Sequence, residues 1–416
     1  MPSLYFAEGL PFVAVMTVSV IMYKRLDVSN AEVAFYTSWL YLPWVIKPLW
    51  SPVVEILKTR RFWIVAMQLL VGAGFATVAL CIQADDFFRY SLAAFWLIAF
   101  SSATHDIAAD GFYILSLSDH EQAWFVGIRN TFYRLAMIAG QGLLVMVAGF
   151  LENETNNIQL SWSIIFYLLA GFYIVLFAWH RRVLPRPDAD VIGHVESFAS
   201  LLAKFVHTFV TFFQKQHIGK IVAFLLLYRI AEGQLAKLAP PFLLDERALG
   251  GLGLATSDVG FVYGTVGALM LTLGGLLGGF LAARNGLKYW LWWMVAAINL
   301  PNVVYVLLAF VQPDSVLMVT IAVGVEQFGY GLGFAAYTLY MLYVSRGEFS
   351  TAHFAICTGF MALGMMLPGM ASGWIQEMLG YQNFFVWVLL VTIPSFIVVA
   401  LIPLDANFGR EKAKAS

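Results

Sequence analysis

The chain reads as an all-α membrane protein: twelve transmembrane helices arranged as two six-helix bundles. Three observations predict this. Of the 416 residues, 61% are hydrophobic and only 12% charged, roughly half the charged share of a soluble domain. Mean hydropathy is +0.78. Apolar runs long enough to cross about 30 Å of hydrocarbon, roughly 20 residues each, recur along the whole chain, and a single long connection divides them six and six.

In order, the runs fall at 4–22, 33–56, 62–82, 88–117, 124–150, 162–180, 218–244, 257–283, 288–311, 315–344, 350–378 and 382–403. These give an N-terminal bundle over 1–180, a linker over 181–217, a C-terminal bundle over 218–404 and a tail over 405–416. The chain enters its first run with no basic stretch before it, so that span is expected to insert uncleaved. Lys and Arg set the orientation. One side carries Lys58, Arg60, Arg61, Arg181, Arg182, Arg186, Lys204, Lys215, Lys220, Arg284, Lys288, Arg346, Arg410, Lys412 and Lys414; the other carries Lys24, Arg25, Arg89 and Arg247. Fifteen against four places both termini and the linker in the cytoplasm. Within the linker, Phe198, Leu201, Leu202, Phe205, Val206, Phe209, Val210 and Phe213 follow helical spacing, which predicts an amphipathic helix lying in the inner interface. Cys81 and Cys357 lie in separate apolar runs and read as small apolar residues.

The informative residues are the charges inside the runs. A charge at the bilayer centre costs about 3 kcal/mol or more on insertion scales, so it needs a partner or water. The fourth run holds His105, Asp106 and Asp110; the two aspartates are four apart and share one helix face. Other runs hold Glu8 beside Pro11, Lys47 among Pro43, Pro48 and Pro52, then Arg129, Arg134, Arg229, Glu232, Lys237, Glu326 and His353. A chain that shuttles a proton needs a carboxyl that is neutral in one state. Asp110 and Asp106 rank first as proton-coupling groups, because two acids on one face disfavour double ionisation. Glu326, Glu8 and Glu232 follow in that order, Glu232 last because Arg229 stands one turn away. Arg134 is the cation expected to face the aspartates. Lys47, Trp44, His105, Tyr113, Arg134, Arg229 and His353 are the candidate substrate-binding residues. Trp44 leads the aromatic residues (Trp39, Tyr113 and Tyr337 are the others) because it adjoins Pro43 and Lys47 in mid-span.

The halves also echo each other. Ser51-Pro-Val-Val-Glu55-Ile-Leu-Lys58-Thr-Arg60-Arg61 follows the second run, and a glycine-rich helix end running into Arg284-Asn-Gly-Leu-Lys288 follows the eighth. Repeated halves of this kind mark secondary transporters. The six-plus-six count and the basic turn resemble the major facilitator superfamily, with Glu55 where Asp is usual. Seven stretches narrow the resemblance: Gly9-Leu-Pro11, Lys47-Pro-Leu-Trp-Ser-Pro52, Ala103-Thr-His-Asp-Ile-Ala-Ala-Asp110, Tyr228-Arg-Ile-Ala-Glu232, Glu326 with Gly331-Leu-Gly333, Phe349-Ser-Thr-Ala-His-Phe-Ala355, and Gly373-Trp-Ile-Gln-Glu377. In this order they resemble the AmpG-type muropeptide permeases, which are related to acetyl-CoA transporters. In that family the paired aspartates of span 4 correspond to Asp106 and Asp110, and the acids of spans 7 and 10 to Glu232 and Glu326. Glu8 stands where a small residue is common, and His105 and His353 where Gln is common.

The resemblance implies proton-driven import of anhydro-muropeptides across a bacterial inner membrane, for cell-wall recycling. The expected partners are a small amphiphilic solute, protons and the bilayer, with no nucleic acid, and the protein is expected to be a monomer. No cofactor or metal is called for, and no enzyme activity. Beside it stand a transport-dead receptor or scaffold, which needs no titratable cluster, and two sharper rivals. One is transport of acetyl-CoA or another anionic solute, for which the charge count is indecisive. The other is a membrane acyltransferase, because His105 and Asp110 fit H-x4-D with the histidine as general base; that site belongs at the membrane surface, not in mid-span.

Overall fold

The computed structural model describes residues 1–117, 119–187, 190, 198–347, 349–405 and 408. The side chains of Glu55, Phe198, Leu201, Leu202, Lys204 and Phe205, and residues Arg410, Lys412 and Lys414, lie outside that description. Every one of the twelve apolar runs falls on helix. The helices are α1 (Pro2–Arg25), α2 (Asn30–Trp39), α3 (Leu42–Leu57), α4 (Arg60–Cys81), α5 (Phe87–Ser116), α6 (Asp119–Met137, continuing through Ile138–Leu144 to Val145–Thr155), α7 (Ile158–Val183), α8 (Phe198–Phe213), α9 (Ile218–Leu227), α10 (Ile230–Leu244), α11 (Thr256–Asn285), α12 (Leu287–Val311), α13 (Val316–Val344), α14 (Ser350–Leu390) and α15 (Ile393–Leu401). Nine helical stretches among the described residues are long and apolar enough to cross a membrane, and the longest, Ser350–Leu401, contains a non-helical Gly380. The second and seventh runs are each split into two shorter helices, α2 with α3 and α9 with α10. Large apolar side chains on the outer faces stand bare, among them Leu80 on α4, Val175 on α7, Leu276 on α11 and Trp293 on α12, as lipid-facing surfaces require.

The chain forms two compact units. Unit 1 comprises 1–29, 39–202 and 255–264; unit 2 comprises 30–38, 203–254 and 265–416. Two short stretches therefore fold with the unit that the rest of their helix does not belong to.

In unit 1, α5 packs along α4, α4 along α7, and α1 along α6. Pro11 inside α1 cannot donate to the carbonyl of Ala7, and the Tyr173 hydroxyl of α7 donates to that carbonyl at 2.6 Å instead. Just beyond, α1 widens to a π-helix over Ala14–Val18, and α6 does the same over Ile138–Leu144. These two segments touch. At one end of the unit, buried Glu152 of α6 is paired with Arg25 of α1 at 3.0 Å. It also accepts from Trp162 Nε1 at 2.9 Å and from Thr256 Oγ1 at 2.7 Å. At the other end, Asp190 accepts the backbone N–H groups of Arg60 and Arg61 at 2.8 and 3.0 Å. It thereby caps the positive N-terminus of α4.

In unit 2, α11 and α13 approach so closely that neither has room for side chains at the contact. A Cβ on Gly274 would meet the Phe328 carbonyl, and one on Gly331 would meet the Leu271 carbonyl. This is small-residue packing of membrane helices. The chain is helical over Phe198–Phe213, α8. Phe212 is fully buried in the unit 2 core with Phe209 beside it, while Val206, Val210 and Phe213 stay about half exposed. Asn30 donates to Gln376 Oε1 and the Tyr381 hydroxyl, both at 2.8 Å, and that hydroxyl donates to Asp245 at 2.6 Å.

Gly331→Leu is expected to destabilise the protein by about 2 kcal/mol or more, the scale of overpacking in a filled interface. Gly279→Leu, on the same α11 but with nothing within 4 Å of its Cβ position, is expected to be neutral. Thermal unfolding in detergent micelles compares the two.

Candidate functional site

The charged residues of unit 1 converge on one cluster. α5 is an unbroken helix through Phe87–Ser116, so Asp106 and Asp110 lie one above the other on a single face. Each finds its own cation. Lys47 Nζ of α3 is paired with Asp106 Oδ2. Arg129 of α6 is paired with Asp110 Oδ1 at 2.8 Å. The local chain explains both placements. Pro43 sits in the first turn of α3, where its missing N–H costs nothing, and restarts the helix so that Lys47 arrives one turn in. Arg129 lies on α6 where that helix packs along α1. Its guanidinium is 4.5 Å from the Tyr5 ring centroid and 5.5 Å from that of Tyr113, and Tyr5 donates to Asp110 at 3.4 Å. Cation–π contacts of this kind hold a guanidinium in a fixed plane.

Glu8 of α1 completes the cluster. One carboxylate oxygen from each of Glu8, Asp106 and Asp110 lies within 4.8 Å of the others. Glu8 is 7% exposed, and its Oε2 is buried without a hydrogen-bond partner among the described residues. The paired side chains are more open: Lys47 23%, Asp106 18%, Arg129 29% and Asp110 37% exposed. The site therefore has a closed side at Glu8 and an open side at Asp110. Trp44, half-buried on α3, packs edge-on against Phe12 at 5.2 Å, and Tyr113 packs edge-on against Tyr5 at 6.0 Å.

Other sequence candidates fall elsewhere. Arg134, expected to face the aspartates, reaches Met137 Sδ at 3.9 Å; the aspartate partner on α6 is Arg129. His105 does not line the cluster. It is 2% exposed, and its Nε2 meets Gln68 at 3.0 Å; Gln68 in turn meets His180 Nδ1 at 2.8 Å, and His180 Nε2 meets Ser3 Oγ at 2.9 Å. Gln68 and His180 drew no attention in the sequence. A lone glutamine in an apolar run is the available signal for Gln68, since a buried amide requires partners.

The unit 2 candidates divide in the same way. The helix breaks at Tyr228–Arg229, and Arg229 takes the N-cap position of α10, with Glu232 in its first turn. An acid there is favoured by the helix dipole. The Arg229 guanidinium bonds the Tyr330 hydroxyl and lies 5.2, 4.8 and 5.9 Å from the rings of Tyr330, Phe334 and Tyr337. Glu326 accepts from Gln327 at 2.9 Å, and Lys237 donates to Thr37 at 2.9 Å. His353 bonds Thr211 of α8 at 3.1 Å between the rings of Phe212 and Phe349. It anchors the linker helix. Tyr337 is fully buried, donating to the Leu225 carbonyl at 2.6 Å, so it packs the core and is closed to a sugar ring.

A family model described as Major Facilitator Superfamily matches residues 3–353. The chain belongs to that superfamily. It is 22% identical over 415 residues to "Putative transporter AmpG 4" of Rickettsia conorii, covering 96% of this chain and 95% of that one. It is 25% identical over 410 residues to the "Anhydromuropeptide permease" of Escherichia coli K12, covering 97% of this chain and 79% of the relative. Its fold is similar to a mutant of the nucleoside transporter NupG (TM-score 0.72, 14% identity, 97% and 98% of the two chains) and to a D-xylose-proton symporter (TM-score 0.71, 12% identity, 97% and 96%).

A double-mutant cycle on Arg129→Ala and Asp110→Ala is expected to give a coupling energy of about 1 kcal/mol or more. That lies between the small values of exposed pairs and the larger ones of buried pairs. Arg134→Ala paired with Asp110→Ala is expected to show none. Denaturant unfolding in micelles measures both.

Proposed function

We propose that this protein is a proton-coupled secondary transporter that imports anhydro-muropeptides across a bacterial inner membrane. The observation that carries the proposal is the end-to-end similarity to a protein named anhydromuropeptide permease, across 97% of this chain, in a chain that folds as a major facilitator. In this reading the chain crosses the membrane twelve times. Bundles over 1–180 and 218–404 are its two halves, α8 rests its half-exposed apolar face in the inner interface, both termini are cytoplasmic, and the monomer is the working unit. The acids of the unit 1 cluster carry the proton, with Glu326 and Glu232 as a second acidic set in unit 2. Lys47 and Arg129 meet the carboxylates of the peptide moiety, and Trp44 and Tyr113 offer faces to the sugars. Arg134 and Arg229 are further cations for the anionic part of the substrate. His105 and His353 serve as positioning residues through Gln68 and Thr211.

The rival substrate, acetyl-CoA, carries several phosphate charges. The end-to-end similarity to an anhydromuropeptide permease favours the muropeptide over it. The acyltransferase reading requires His105 to act on a substrate, but its Nε2 is committed to Gln68.

In proteoliposomes, a radiolabelled GlcNAc–anhydroMurNAc–tripeptide is expected to accumulate when the outside is made acidic, and to stop when a protonophore is added. Acetyl-CoA is expected neither to accumulate nor to compete. Trp44→Ala is expected to raise the apparent KM about threefold to tenfold, the value of one aromatic contact. An unchanged KM removes Trp44 from the site.

A further inference from the structure

We infer that Glu8 is the residue that carries the coupled proton, and that the unit 1 cluster works by sharing two cations among three carboxylates. The inference rests on the transport reading above for its role in a cycle, but its chemistry stands on the geometry alone. Asp106 and Asp110 have cations of their own in Lys47 and Arg129. Among the described residues Glu8 has neither a cation nor a donor on Oε2, although its carboxylate lies within 4.8 Å of both others. It is also the most buried of the three, at 7% exposed.

The groups around Glu8 come from five helices. Tyr5 is on α1 itself, Lys47 on α3, Asp106 and Asp110 on α5, Arg129 and Tyr133 on α6, and Tyr173 on α7. The Tyr173 hydroxyl is committed to the Ala7 carbonyl and that of Tyr5 to Asp110. With Lys47 and Arg129 also engaged, an ionised Glu8 would be an uncompensated charge beside two others of the same sign. That arrangement is unfavourable in a dry site. One monovalent positive charge resolves it, and a proton does so without needing ligands or space. A divalent ion would overcorrect the balance, and a sodium ion among the three carboxylates would be repelled by the two cations already paired with them.

The cluster is then a two-state device. With Glu8 protonated, Lys47 holds Asp106 and Arg129 holds Asp110. When water reaches Glu8 from the inner side, the proton leaves to that water. The Glu8 carboxylate then competes for Lys47 or Arg129 and draws a cation away from its aspartate. One proton enters from outside per cycle and one is released inside. The two aspartates become the positions that register the change, and Glu8 becomes the position that carries the proton.

The test separates this inference from the identity of the substrate. Infrared spectra of reconstituted protein, without substrate, are taken with ¹³C-carboxyl glutamate or aspartate. In a Glu232→Gln/Glu326→Gln background, the expected result is a protonated-carboxyl C=O band that shifts with labelled glutamate and is lost when Glu8→Gln is added. In Glu8→Asp, which keeps an acid there, the band is expected to respond to labelled aspartate instead. In proteoliposomes loaded with the anhydro-muropeptide probe, Glu8→Gln is expected to keep substrate exchange and lose accumulation against a gradient. A band that survives Glu8→Gln in that background overturns the inference, as does full accumulation by Glu8→Gln. Stabilisation of the wild type by sodium over choline chloride that is lost in Glu8→Gln, with no such band, also overturns it, in favour of a metal cation at the triad. If the probe is not transported at all, the substrate reading fails while the infrared result still decides Glu8.

Discussion

Two cations hold four helices of unit 1 together. Lys47 and Arg129 approach α5 from α3 and α6, one on each aspartate, and Tyr5 of α1 closes onto Asp110. Breaking one pair leaves a partly buried charge without its partner, which costs more than the loss of an exposed pair. The two pairs therefore help to fix the rotation of α5. They also explain why the aspartates are one turn apart. Each needs its own cation, and two cations on the same atom would repel.

The helix breaks serve the same constraint. In a membrane, a broken helix is tolerated where something re-satisfies the freed backbone. Pro11 frees the Ala7 carbonyl and Tyr173 takes it. The restart at Pro43 brings Lys47 into place. The interruption at Arg229 puts Glu232 at a helix N-terminus and frees the guanidinium to turn toward three aromatic rings. Each interruption sits a few residues from a charge, so backbone irregularity and buried polarity are solved together.

Much of this was legible in the residues. Twelve apolar runs, the central linker helix and the face shared by Asp106 and Asp110 follow from hydropathy and helical period. The choice between Arg129 and Arg134 was not legible. They are five apart, and which of them meets α5 depends on how α6 packs along α1, which the period alone leaves open. The histidines misled for a different reason. His105 and His353 are polar groups in apolar runs and look like ligands for a solute, yet their partners, Gln68 and Thr211, lie far away in sequence and are themselves inconspicuous. The split of the seventh run was also hidden, because Tyr228 and Arg229 are compatible with helix and only the tertiary surroundings of the guanidinium favour the break.

The π-helical segments carry a consequence for how such a chain can vary. In α1 the widened turn lies between Glu8 and Arg25, and in α6 it lies between Arg129 and Glu152. A π turn holds one residue more than the α turn it replaces. Arg25 and Glu152 meet at 3.0 Å with that extra residue present in both helices. Losing one residue from either segment would tighten it to an ordinary turn that completes the same rotation with one residue fewer, leaving the far end and the central charges close to where they are. Single-residue insertions and deletions at these two places are therefore absorbed locally, and each helix can change length there while the Arg25–Glu152 pair persists.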